Sequence, residues 1–168
     1  DLHSFPTRRS SDLAIVDTKT IDITITAASD SRMYNGQALT NAGYPYTEGV
    51  LADGDVLTAV VEGTITNAGT AANKVTSYKV MRGETEVTTN YTFGDSVDGT
   101  LEVTKRSVKL TSATDSKTYD GKPLTNNEVT VSGDGFVEGE GAEYDVTGTI
   151  TDQGSTPNTF SYTLNDKT

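Results

Sequence analysis

Tyr34-Asn35-Gly36-Gln37-Ala38-Leu39-Thr40-Asn41 occurs a second time, as Tyr119-Asp120-Gly121-Lys122-Pro123-Leu124-Thr125-Asn126. Asn-Gly and Asp-Gly are strong turn signals, because both residues tolerate positive φ at the tip. The turn motif is thus Tyr34, Asn35, Gly36 and Leu39 in one copy and Tyr119, Asp120, Gly121 and Leu124 in the other. In each, Tyr and Leu stand where they would pin the turn's flanks to a core.

The two copies lie 85 positions apart, and other landmarks keep that offset. Asp30-Ser31 answers to Asp115-Ser116, and Asp53-Gly54-Asp55 to Glu138-Gly139-Glu140. Gly63-Thr64-Ile65-Thr66 answers to Gly148-Thr149-Ile150-Thr151, while Gly69 and Asn73 answer to Gly154 and Asn158. Such a period is too long for a solenoid unit and suits one small domain per repeat. The expected organisation is a first repeat over 21–105 and a second over 106–168. The second breaks off before counterparts of Tyr91–Phe93 and Leu101–Thr104, so it is expected to be incomplete. Residues 14–20 align with 99–105 and read as the last strand of a preceding repeat.

Residues 4–13, Ser-Phe-Pro-Thr-Arg-Arg-Ser-Ser-Asp-Leu, resemble a translated sequencing adapter. Their basic character breaks with the text that follows, so 1–13 is set aside as an artefactual segment. With it goes His3, the sole histidine of the chain.

Thirty of the 168 residues are threonine. This β-branched residue suits a pleated, half-solvated surface. Ile21-Asp22-Ile23-Thr24-Ile25-Thr26 alternates with period two, as a half-buried strand does. Further strands are expected at 56–62 with 64–66, around Thr76, Tyr78 and Val80, at 91–93, 101–104, 107–111 and 160–164. Nowhere does a long 3.6-residue apolar period appear. The expected fold is all-β: two tandem small modules, either Ig-like sandwiches or β-grasp-like.

A net charge of −11 opposes binding to nucleic acid or anionic membrane, and no apolar run is long enough to insert into a bilayer. Cysteine is absent, so disulfides, thiolate nucleophiles and sulfur-ligated metals are excluded. Nucleophilic catalysis lacks its base, and no pair of the many acidic residues stands out for glycoside chemistry. The expectation is no enzyme and no cofactor. Asp134, Glu138 and Glu140, followed by Glu143 and Asp145, lie among glycines and are the candidate calcium ligands, although their spacing is not that of an EF-hand. Lys117, Asn158 and Asp115 are one candidate set for an intramolecular Lys–Asn bond. The first copy has Arg32 at the lysine position, which argues against it.

Lys117-Thr118-Tyr119-Asp120-Gly121, with Pro123-Leu124-Thr125 and Gly133-Asp134-Gly135-Phe136, is similar to the YDG/MBG-type repeats of bacterial cell-surface proteins. The resemblance spans about 21–168, and Arg32-Met33-Tyr34-Asn35-Gly36 departs from its pattern. It implies tandem extracellular modules of adhesin-like proteins, placed between a signal peptide and an anchor, and it brings no catalytic residue. The function expected is that of stalk or spacer repeats of a secreted surface protein, presenting a distal domain. Neighbouring repeats are the expected partners. One alternative is an adhesin module in which exposed Tyr44, Tyr46 and Tyr144 bind host glycan or protein. Another is a set of accessory repeats of a surface enzyme.

Overall fold

The computed structural model describes residues 22–165. The expected foreign segment 1–13, the expected strand at 14–20 and the first residue of the Ile21–Thr26 strand lie outside them. The protein is all-β and sandwich-like, with a single short 3₁₀ turn at Thr88–Asn90 among the described residues.

Alternation in 22–27 has the effect expected of it: Ile23, Ile25 and Ala27 are buried, while the residues between them reach the surface or its margin. This stretch is held on both sides. Thr26 N donates to Pro45 O, and Thr47 N to Thr24 O, in an antiparallel sense. On the other side it runs parallel to 93–97, through bridges Ile23–Phe93 and Thr26–Val97. The expected strand at 91–93 is thus reduced to one bridge after the 3₁₀ turn.

The chain continues into strand β1 (Asp30–Met33), then β2 (Asp55–Glu62), β3 (Gly69–Arg82), the short β4 (Thr85–Glu86) and β5 (Gly99–Thr104). Their order is β1-β5-β3-β2, with β4 on β3. β1 and β5 run parallel, with Asp30 opposite Leu101 and Met33 opposite Thr104, and the other pairs are antiparallel. β3 starts at Gly69, earlier than its apolar alternation suggests. Its first part, to Asn73, pairs with β5, and the rest, from Lys74, pairs with β2. A strand that changes partners in this way forms the corner between two layers of a sandwich.

The core follows from that corner. Ile23, Ile25, Leu57 and Val80 form one cluster, with Tyr44, Phe93 and Tyr91 packed around it. Leu39, Leu101 and Val103 form the other, closed by Tyr34 and Ile65. β5 is buried at Gly99, Leu101 and Val103 and exposed between them, so it is the strand that seals the second cluster.

The second copy has β6 (Val108–Ser112), β7 (Val129–Gly133), β8 (Ala142–Val146) and β9 (Phe160–Leu164). β6 pairs with β7 and β8 with β9. Leu110 opposite Val131 reproduces Ile25 opposite Tyr46, and Leu124–Ile150 reproduces Leu39–Ile65. A departure occurs in β3. Val61 faces Val75 but Val60 faces Ser77, so Thr76 is an extra residue in a β-bulge. In the second copy Val146 faces Phe160 and Asp145 faces Ser161, with no bulge. Counting Thr76 as an insertion, Ser77-Tyr78 answers to Ser161-Tyr162, and the two registers agree. Bulges absorb single insertions in this way.

One ion-paired group gives the first copy a pH dependence. The Asp55 side chain is 2% exposed and receives Arg82 Nε at 2.5 Å and Nη2 at 3.0 Å. Tyr91 Oη also donates to it. Arg82, then Tyr91, hold the carboxyl below the ordinary carboxylate range. A depressed folded-state value means that the contribution is present above the unfolded value, about 4, and is lost as pH falls through the folded one. Urea midpoints measured from pH 6 to pH 2.5 should therefore fall on the acid side, and Asp55→Asn should fall less steeply, by about one proton of linkage. Parallel curves would show that this pair does not set the acid limb.

Candidate functional site

The repeated turn and the acidic, glycine-bearing loop of the second copy meet. Gly36 and Gly121 have φ of +78° and +72°, and the side chains of Asn35 and Asp120 each accept the backbone N–H two residues on, at 3.0 Å. A cation braces both turns. Arg32 Nη2 donates to Gln37 O, while Lys117 Nζ donates to Asp120 Oδ1 at 2.6 Å and to Pro123 O at 3.3 Å. Lys117 thereby holds the Asp120 carboxyl below its usual range.

The turns differ in what lies over them. Tyr34 packs on the Leu39–Leu101–Val103 cluster, and its hydroxyl donates to Glu140 of the second copy. That bond to a carboxylate, with partial burial, raises the Tyr34 pKa. Val137 Cγ1 stands 3.3 Å from where a Cβ on Gly36 would be. Arg106, between β5 and β6, joins the two sides: Nη1 donates to Tyr34 O at 3.2 Å, Nε to Gly135 O at 2.8 Å, and Nη2 to Asp134 O. Asp134 turns its carboxylate back to Ser107 N at 2.7 Å. A planar guanidinium with a fork of donors is suited to collecting three carbonyls at once.

This arrangement uses two of the calcium candidates for other work. Asp134 caps Ser107 N, Glu140 accepts from Tyr34, and Glu138 is exposed. Among the described residues no three Asp, Glu, His or Cys side chains gather as a metal-binding group. The proposed Lys–Asn partners are apart in their bonding too, since Asn158 Nδ2 is taken by Ala113 O at 3.0 Å and Asn126 O at 2.8 Å. The tyrosines weighed for ligand binding do not share a platform. Tyr44 packs on the first core cluster, Tyr46 is 36% exposed, and Tyr144 lies edge-on to Phe160.

Sequence reading missed Arg106 and the role of the paired asparagines. Asn73, at the β3 corner, is fully buried and donates to Ala28 O at 2.8 Å and Asn41 O at 2.7 Å. Asn158 makes the equivalent pair of bonds. In both, Oδ1 has no protein donor and faces a glycine, Gly63 or Gly148, at which a Cβ has no room. The signal was present: Asn73 and Asn158 keep the offset of the turn, as do Gly63 and Gly148.

Comparison with protein-family models, curated proteins and solved structures finds no match. The class defined by fold and site is therefore structural: an all-β chain with an ordered junction between two copies of one sequence repeat.

The junction predicts an asymmetry between the two glycines. A side chain at positive φ costs about 1–3 kcal/mol at either turn. At Gly36 a valine would also press on Val137, whereas no atom lies within 4 Å of the Cβ position at Gly121. Urea unfolding should show Gly36→Val destabilising more than Gly121→Val. Equal losses would mean that the second-copy loop does not rest on the first turn.

Proposed function

We propose that this chain is a pair of non-enzymatic spacer repeats from an extracellular, cell-surface protein of bacterial type, whose work is to hold a distal domain away from its anchor. The observation that carries this reading is the junction. Only residues 105–107 separate β5 from β6, and Arg106 within them bonds carbonyls of both copies. A short connection of this kind, fixed at both ends, restricts bending between successive units. The net charge of −11 adds self-repulsion, which favours an extended, soluble array. No helix among the described residues is long and apolar enough to cross a membrane.

The reading is tested by the stiffness of the junction. ¹⁵N relaxation of the whole chain should give both copies one common rotational diffusion tensor. The double variant Arg106→Ala, Tyr34→Phe should uncouple them while leaving the urea midpoint of the first copy within error. Independent tumbling in the unmodified chain would remove the basis for a spacer.

A further inference from the structure

The two copies present the same groove in two states. In the first, β5 lies between β1 and the start of β3, covering Leu39, Tyr34 and Ile65. In the second, the equivalent residues line an open groove of about 500 Å³ that includes Ser116, Tyr119, Leu124, Ile150, Gly154 and Asn158. Tyr119 is 67% exposed there. Residues 115–118, equivalent to β1, form no strand, and no described residue beyond Val103 is fully buried. Along the groove edge a hydroxyl has taken the place of a ladder partner, with Ser112 Oγ donating to Asn158 O at 2.6 Å.

We infer that this groove is a receptor for one extended peptide strand of the β5 type: a glycine followed by aliphatic side chains two and four residues on. The first copy supplies the template. Gly99 faces Asn73, Leu101 faces Asp30, and Val103 faces Gly69. A Cβ on Gly99 would meet the backbone of Ala27 and Ala28. The same backbone in the second copy belongs to Ser112 and Ala113, so the strand must again begin with glycine opposite Asn158. Its aliphatic pair then covers Leu124 and Ile150, as Leu101 and Val103 cover Leu39. The strand runs parallel to 115–118 and antiparallel to 154–158. Main-chain pairing gives such a site its affinity, and the alternate side chains its selectivity.

The test uses the whole chain and a labelled peptide with the sequence of residues 97–105. Fluorescence anisotropy should show saturable one-to-one binding. Amide shifts should concentrate in 112–118, 124–126 and 148–158. A peptide carrying Leu101→Asp and Val103→Asp should bind at least tenfold more weakly, and one carrying Gly99→Val should be equally impaired. No saturation, equal binding of all three peptides, or shifts confined to residues 22–105 would overturn the inference. So would a chain that sediments as an oligomer with the 154–158 amides already protected, since the groove would then belong to a second copy.

Discussion

Asn73→Ala is expected to destabilise the first copy by about 2–4 kcal/mol, among the largest losses available to a single substitution in this chain. The side chain is fully buried and bonds two carbonyls, Ala28 O and Asn41 O, from separate segments. Truncation removes both donors at a site closed to water, and a buried acceptor left unpaired costs about 1–3 kcal/mol. Asn73→Asp should be no better, because a carboxylate facing two carbonyls cannot donate to them. The same alanine change at Asn158 should cost less than half as much, since that residue is only half-buried and solvent can reach the freed carbonyls. Urea denaturation followed by amide signals from each copy measures both. Equal losses at the two positions would show that burial is not what gives the interaction its strength.

Gly99→Ala should be comparably severe, at about 3 kcal/mol or more, for a reason of space. The added Cβ would come within 2.5 Å of Ala27 O and 2.8 Å of Ala28 C, and would overlap Ala28 O as well. These are backbone atoms of a segment held on both sides, so no rotamer change relieves the contact, and overpacking of this sort costs about 1–3 kcal/mol even where relaxation is possible. β5 must either lift off or push the 22–28 segment away from its core. Thermal unfolding should show the loss, and hydrogen exchange should show deprotection first at Leu101 and Val103. A variant with the original midpoint would mean that β5 is not seated as described.

Much of this fold was legible from the chain. Alternation in 22–27 identified the buried isoleucines, and the 85-residue offset found the turn, its tyrosine and its leucine. Other parts were not, for physical reasons. An asparagine outside a turn reads as a loop residue, so the corner role of Asn73 becomes visible only once β3 is seen to change partners. Thr76 is one more threonine among thirty, and its status as an insertion depends on the register of β2 against β3. Arg106 reads as linker, because the three carbonyls it gathers are contributed by Tyr34, Asp134 and Gly135. The acidic loop was weighed for calcium on composition alone. Its geometry instead directs Glu140 to a tyrosine of the first copy, while its counterpart Asp55, one methylene shorter, stays with Arg82 and Tyr91 of its own copy.

The parallel alignment of β1 with β5 also decides how the first copy would respond to tension. Because the two strands run in one direction, the chain enters at one end of the pair and leaves at the other. Pulling on the flanking segments therefore slides β1 along β5, so their evenly spaced hydrogen bonds are loaded in shear together. A hairpin drawn apart from its open end would instead lose its bonds one after another. Arg106 follows β5 by two residues and grips Tyr34, just beyond β1, so the tug of a following unit reaches the sheared pair directly.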